Sequence, residues 1–173
     1  MEKLEIISNI KYGKGISKND LCKNGFPVFG GNGIIGFYDK YLYELPQILI
    51  SCRGAASGKI IESYPKSFVT SNSLVLELNN RCYYNYLKCF LMENPLYDYA
   101  TGSAQPQITI DNIKNVPILI PKLEDLQKLN SFLEGIYNFQ WKITCENNSL
   151  TSLRDTLLPR LMSGELKIND ISV

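Results

Sequence analysis

Residues 29–38 read FGGNGIIGFY, and their glycines decide between two very different folds. Gly31, Gly33 and Gly36 match the G-x-G-x-x-G pattern of dinucleotide-binding proteins, which requires a strand before the glycines and a helix after them. The residues that follow, IIGFYDKYLYELPQILI, contain several aromatic side chains and an early proline, without any helical spacing of apolar residues. The stretch therefore predicts a tight turn between two β-strands, in which the glycines have a backbone role.

The same glycines also fit a methyltransferase, since F-x-G-x-G is the turn that many of these enzymes fold around a nucleotide cofactor. NPLY at 94–97 is close to the N-P-P-Y motif that grips a target adenine. Such enzymes need βαβ units between the two motifs, whereas residues 37–78 favour strands and turns. A small S-adenosylmethionine-dependent DNA methyltransferase therefore remains an alternative. GAASGKI at 54–60 is one residue short of a phosphate-binding P-loop and predicts a turn.

Short apolar runs, separated by turn-forming residues, fill the first part of the chain. Runs of strand length occur at 27–29, 47–50, 59–64, 73–78 and 116–120. Residues 81–94 have apolar side chains at helical spacing, and residues 109–115 carry a Thr or Asp cap, so each stretch predicts a helix. The predicted fold class is α+β, with a β-rich mixed domain over residues 1–121 followed by a long α-helix.

Residues 122–158 predict one long helix that pairs as a coiled coil, followed by a C-terminal tail over 159–173. Apolar residues recur at every seventh position, as a pairing helix requires: Leu129, Ile136, Ile143, Leu150 and Leu157. The neighbouring column consists of Leu126, Leu133, Gln140, Asn147, Arg154 and Leu161. A helix of this length is on the order of 55 Å long, too long to pack wholly on so small a domain. We expect a partner helix, with Gln140 and Asn147 fixing the register; a helix packed on its own domain is the alternative.

Composition excludes several kinds of functional site. The chain has no histidine, which removes Ser–His and Cys–His catalytic pairs and imidazole metal ligands. Its five cysteines form no C-x-x-C pair, so neither a disulfide framework nor a zinc site is predicted. The formal charge is +1, and no apolar run suits a bilayer span or a signal peptide. We predict a cytoplasmic protein with no catalytic residue, no metal and no membrane partner.

Taken in order, five segments resemble the target recognition domain and long helix of type I restriction-modification specificity (S) subunits. They are YGKGISKNDL (12–21), FPVFGGNGIIGFYDKYLYELPQILISCRGAASGKI (26–60), FVTSNSLVLEL (68–78), TGSAQPQITIDNIKNVPILIPKLEDLQKL (101–129) and LRDTLLPRLMSGEL (153–166). A full S subunit carries two recognition domains and two long helices, whereas this chain has one of each. The resemblance implies a sequence-specific, non-catalytic half S subunit. Two copies would pair antiparallel through the helix and read a symmetric bipartite DNA target.

Basic and polar residues on predicted loops are the candidates for contacting DNA. Lys11, Lys14 and Lys18, in a glycine-containing loop, suit phosphates, while Arg53 and Lys59 suit phosphates or a groove. Amides can read adenine, and Arg or Lys can read guanine. The amide and hydroxyl candidates are Asn32, Ser71, Asn72, Ser103, Gln105 and Gln107. Each of these side chains can instead satisfy the backbone of a turn.

The resemblance also implies partners. S subunits dock methyltransferase (M) subunits, which carry S-adenosylmethionine, and through them restriction (R) subunits. We therefore expect double-stranded DNA, a second copy of this chain and an M subunit as partners, with the cofactor in the M subunit and none in this chain. A coiled-coil adaptor without a DNA role is the remaining alternative.

Overall fold

The computed structural model describes residues 1–166, which divide into one unit over Met1–Gln127 and a second that begins at Lys128. The strands are β1 (Glu2–Lys3), β2 (Ser8–Tyr12), β3 (Phe26–Gly30), β4 (Gly33–Tyr38), β5 (Ile48–Ser51), β6 (Ile60–Glu62), β7 (Phe68–Val69), β8 (Ser73–Leu78) and β9 (Pro117–Ile118). The helices are α1 (Leu4–Ile7), α2 (Tyr84–Glu93), α3 (Ile110–Ile113) and α4 (Leu123–Met162). A β-rich unit followed by a long helix confirms the predicted α+β class.

An antiparallel sheet with the strand order β2-β8-β5-β6 forms the centre of the first unit. Side chains of β5 point alternately to its two faces, and both faces are covered. Ile48 and Ile50 belong to the larger core cluster together with residues of α1, α2 and α3, whereas Leu49 packs with Phe29 and Val69 of the second sheet. Burial on both faces explains why the strand is a continuous apolar run, which made it predictable.

β3 and β4 form a hairpin whose turn is Gly31–Asn32, and β7 pairs in parallel with the other side of β3. Gly30 pairs with Gly33, whose φ of +130° lies in a region that residues with a Cβ rarely adopt. The glycines are followed by β4 and then β5, and not by the helix that a dinucleotide-binding motif requires. The predicted glycine turn between strands is therefore confirmed.

α2 packs on the central sheet and carries a lysine into the interior. Leu87 and Leu91 are fully buried, and Lys88 between them is only 4% exposed. The Lys88 ammonium donates to the Glu62 carboxylate at 3.1 Å, and the Tyr84 hydroxyl donates to the same carboxylate oxygen at 2.8 Å. A buried ammonium without a partner is costly, so this carboxylate is what permits α2 to pack so closely.

The buried tyrosine of this cluster predicts a loss of stability at alkaline pH. Burial, with the Glu62 carboxylate, raises the pKa of Tyr84 above its ordinary value. An unfolded chain releases the phenol proton near pH 10, whereas the folded chain retains it, so stability falls as the pH rises above about 10. Thermal unfolding followed between about pH 8 and pH 11 should show a smaller alkaline loss for Tyr84→Phe than for wild type. Tyr12→Phe, at an exposed site, should keep the wild-type profile; equal profiles for all three proteins contradict the prediction.

Residues 108–118 pack against the first residues of the chain. α3 starts with a capping box, in which the Thr109 backbone N–H donates to the Asn112 side chain at 2.9 Å. β9 then pairs antiparallel with β1, and the Leu4 N–H donates to the Val116 carbonyl at 3.0 Å. The predicted short helix and last strand are both present, although the strand is limited to Pro117–Ile118.

α4 extends past its predicted end at 158, through Pro159, to Met162. Its central apolar column is exposed in the single chain: Ile136, Ile143 and Leu150 are 49%, 42% and 55% exposed. Within residues 1–166, no helix combines the length and the hydropathy that crossing a bilayer requires.

Candidate nucleic-acid interface

Four segments meet at one edge of the first unit, and together we call them the loop edge: residues 30–33, 51–59, 70–73 and 101–107. They are the β3–β4 turn, the connection from β5 to β6, the turn before β8 and the loop before α3. β5 organises them, because its last residue, Ser51, pairs with Ser73. Just beyond it, the Arg53 backbone bridges that of Gln107. Strand pairing thus brings together loops that are far apart in the sequence.

The hairpin turn is held against the end of the central sheet. The Ser73 hydroxyl donates to the Gly30 carbonyl at 3.1 Å. A Cβ at Gly31 would lie 3.1 Å from the Ser51 hydroxyl oxygen and 3.2 Å from the Asn72 carbonyl oxygen. This spacing is tighter than most side chains accept, so the glycine lets the hairpin turn sit directly on β5 and β8.

Backbone hydrogen bonds join the β5–β6 connection to both of its neighbours. The Cys52 N–H donates to the Asn72 carbonyl at 3.0 Å. The Gly54 N–H and the Ser57 hydroxyl both donate to the Pro106 carbonyl, at 3.0 Å and 2.8 Å. Because the partners are mostly backbone groups, the side chains of this edge remain available to face outward.

The loop before α3 is closed at its base and exposed at its tip. Thr101 and Gln107 exchange both backbone hydrogen bonds, at 2.9 Å and 2.8 Å. Gly102 has a φ of +95°, which turns the chain immediately after this closure. Ser103 and Gln105 lie in the tip and are exposed. The loop therefore presents a hydroxyl and an amide on a closed base.

The loop edge is cationic. Its four segments contain Arg53 and Lys59 and neither aspartate nor glutamate. Within residues 1–166 neither of these cations is ion-paired with a carboxylate, whereas Lys11, outside the edge, is paired with Glu77 at 2.6 Å. The Lys59 ammonium instead donates to Asn32 Oδ1 at 2.6 Å. Unneutralised positive charge among amide and hydroxyl groups suits a polyanion that also offers hydrogen-bonding edges.

Most of the predicted DNA-contact candidates lie in this edge: Asn32, Arg53, Lys59, Ser71, Asn72, Ser103, Gln105 and Gln107. Lys14 is adjacent to it, since its backbone N–H donates to the Val69 carbonyl at 2.9 Å and its backbone bridges Thr70. Lys18 begins a separate 3-10 turn, Lys18–Asp20. Whether each candidate contacts DNA stays a prediction.

The predicted loop position is wrong for Lys11, which lies in β2. The buried Ser8 and Ile10 alternate there with exposed residues, and Lys11 reaches across to Glu77 on β8. This alternation is the sequence signal for a half-buried strand. The glycines that follow it led to the prediction of a loop instead.

Sequence reasoning missed three hydroxyl residues that lie at or next to strand ends and support the loop edge: Ser51, Thr70 and Ser73. All three are buried, and the hydroxyls of Ser51 and Thr70 have no hydrogen-bond partner among the described residues. Small side chains at the ends of these strands allow the close approach of the hairpin turn. The available signal was a serine or threonine at the end of an apolar run, as in ILIS and FVTSNS.

One buried cysteine and the two sequence motifs that suggested chemistry have structural roles. Burial raises the pKa of the Cys52 thiol, which stays protonated at neutral pH and points to the Ser71 carbonyl, 3.5 Å away. The Asn94 amide, in the methyltransferase-like NPLY, donates to the Phe90 carbonyl at 2.9 Å and caps α2. Part of the P-loop-like stretch forms the 3-10 turn Gly54–Ala56.

The chain is similar in sequence to two known proteins and in fold to a solved structure. The EcoprrI specificity subunit of Escherichia coli is 24% identical over 123 residues, covering 68% of this chain and 31% of that protein. The MjaIX specificity subunit of Methanocaldococcus jannaschii is 31% identical over 144 residues, covering 78% of this chain and 32% of that protein. The crystal structure of the type I restriction-modification S subunit from M. genitalium superimposes with a TM-score of 0.73 at 17% identity, over 94% of this chain and 45% of that one.

These matches establish the fold and the family. The chain spans about a third of the length of the curated relatives it matches and less than half of the S subunit of known structure. Residues 1–151 match the family model of the type I restriction modification DNA specificity domain, which covers the whole first unit and most of α4. The chain therefore belongs to the family of type I restriction modification DNA specificity domains.

Proposed function

We propose that this chain binds double-stranded DNA sequence-specifically through the loop edge, as the recognition part of a type I restriction-modification assembly. The observation that carries the proposal is the charge of that edge, where Arg53 and Lys59 stand among amides and hydroxyls without any acidic residue in the four segments. Cations supply phosphate contacts that position a protein on the duplex, and amides read base edges.

A second copy of the chain is the proposed source of a second DNA-reading unit. The central column of α4 is apolar and exposed in the single chain, whereas Leu126, at the start of the predicted seam, is already fully buried. The residues left for pairing are Leu129, Leu133, Ile136, Gln140, Ile143, Asn147, Leu150 and Leu157. An antiparallel pair of such helices has two-fold symmetry, so its target would be a symmetric sequence in two parts.

We extend the proposal to the rest of the assembly on the strength of family membership. An M subunit with S-adenosylmethionine would dock on α4 and on the following residues up to 166, and an R subunit would join through it. In this arrangement the chain contributes recognition and no catalytic group.

DNA binding by the loop edge is tested by the salt dependence of affinity. We expect the chain to bind a labelled duplex at low salt with an affinity that falls linearly with the logarithm of salt concentration. Arg53→Ala should weaken binding by about tenfold and make the salt slope shallower by about one. Lys66→Ala is the control, because Lys66 lies outside the loop edge and pairs with Glu44. Salt-independent binding, or equal losses in both variants, contradicts the proposal.

The place of the chain in a modification assembly is tested by methylome sequencing. A host that expresses the chain with a type I M subunit should gain a symmetric bipartite adenine mark, and hosts that express either protein alone should not. A mark produced by the chain alone contradicts the assignment of catalysis to the partner. If the host that expresses both proteins gains no mark while salt-sensitive DNA binding persists, recognition stands and the proposed docking fails.

A further inference from the structure

The side chains of Asn32 and Lys59 form one hydrogen-bonded unit at the exposed tip of the loop edge. The Lys59 Nζ to Asn32 Oδ1 distance is 2.6 Å, and Asn32 is exposed. A lysine ammonium has three donors and no acceptor, so the atom of Asn32 that it meets must be the amide oxygen. The Nδ2 amino group of Asn32 is thereby oriented away from the ammonium.

Both ends of the unit are attached to the sheet. Asn32 occupies the β3–β4 turn, which Gly31 seats against Ser51 and Asn72. The Lys59 carbonyl accepts the Ser51 N–H at 2.9 Å. The two functional groups are therefore held by the same end of β5, and a ligand meets them in a fixed relation to each other.

The Asn32–Lys59 unit offers hydrogen-bond donors to a ligand and has no free hydrogen-bond acceptor of comparable strength. The remaining groups are the N–H bonds of the ammonium and of the Asn32 amide, while the Asn32 oxygen is engaged by a positive charge. Guanine presents two acceptors, N7 and O6, in the major groove. Adenine presents one acceptor and one donor, and its amino group would meet the ammonium donor to donor.

Resting on the DNA-binding function proposed above, we propose that Asn32 and Lys59 together read one guanine in the major groove. One group donates to N7 and the other to O6. A free asparagine was expected to read adenine. The lysine changes that preference because its ammonium lies against the Asn32 oxygen, where it would meet the adenine amino group donor to donor.

Selection from a randomised duplex library tests this assignment. The full wild-type chain should enrich a sequence with a guanine whose replacement by adenine weakens binding by about tenfold or more. Asn32→Ala and Lys59→Met should each lose discrimination at that guanine and keep the remaining preferred positions. Lys66→Met is the matched control and should enrich the wild-type sequence. Far-UV circular dichroism with thermal unfolding checks that each variant is folded, and the two variants provide independent tests.

The outcomes separate this inference from the proposed function. If the wild-type chain enriches no sequence, DNA recognition fails and the inference fails with it. If the wild-type sequence persists unchanged in both variants, recognition stands and the guanine assignment is overturned. Relaxation at an adenine also overturns it, as does a uniform loss of affinity without any change in base preference, because that result would make Lys59 a phosphate contact.

Discussion

A chain carrying Ile136→Asp and Ile143→Asp should be monomeric at concentrations where the wild-type chain is a dimer. Both side chains lie in the central column of α4 and are about half exposed in the single chain, so pairing would bury them. Burying an isoleucine contributes roughly 1.5–3 kcal/mol. Because about half of each side chain is already buried in the single chain, four such side chains in a dimer account for about 3 kcal/mol or more, which corresponds to a weakening on the order of 10²-fold.

Sedimentation equilibrium over micromolar concentrations measures this change. The matched control is Asn138→Asp with Asn148→Asp, which adds the same charge at exposed positions on the opposite face of the helix. The control should remain a dimer. A wild-type chain that is monomeric throughout, or a double isoleucine variant that stays dimeric, contradicts pairing through this column.

Sedimentation equilibrium of further variants also shows which side of the apolar column of α4 contacts the partner helix. The predicted seam uses the flank with Leu133, Gln140 and Asn147. The opposite flank carries Phe132 and Phe139, which are 71% and 66% exposed. Pairing over the proposed seam buries position 140, and a buried unpaired carboxylate is costly, so we expect Gln140→Asp to weaken the dimer more than Phe139→Asp. The reverse order would place the partner on the phenylalanine flank, where pairing removes more apolar surface from water.

Elements with a strong local pattern were predictable from the sequence. The continuous apolar run of β5 and the spacing of apolar residues in α2 each identify an element without help from the rest of the chain. The glycine hairpin was predictable for the same reason, because the turn and the pattern after it are local. Lys11 was misplaced because only a short alternating stretch, beside glycines, indicates β2.

The composition of the candidate site was predictable, but its assembly was not. Arg53 and Gln107 bridge each other across more than fifty residues of sequence. Ser51 and Ser73 meet only because β5 pairs with β8. Local propensity carries no information on which loops converge, since strand order decides it. The sequence alone also could not show that Asn32 presents its amide donors. That orientation depends on Lys59, which lies in a different connection.

Replacing Gly58 with alanine should destabilise the first unit by about 3–5 kcal/mol, a large share of the stability of a small domain. Gly58 has a φ of +97°, which strains any residue with a Cβ. A Cβ there would lie 2.5 Å from the Leu96 carbonyl carbon and 2.5 Å from the Tyr97 nitrogen. These are backbone atoms and cannot rotate aside.

The surrounding hydrogen bonds make any backbone shift that would relieve this clash costly in free energy. The Gly58 N–H donates to the Ser51 carbonyl at 2.9 Å, and its carbonyl accepts the Leu96 N–H at 3.0 Å. Any shift that relieves the overlap breaks one of these bonds at the end of β5. Urea unfolding followed by circular dichroism measures the loss. Gly15→Ala, where a Cβ has open space and φ is ordinary, should stay within about 0.5 kcal/mol of wild type. A similarly small change for Gly58→Ala would mean that the β5–β6 connection is mobile rather than fixed, and the rigid placement of Lys59 beside Asn32 would lose its structural basis.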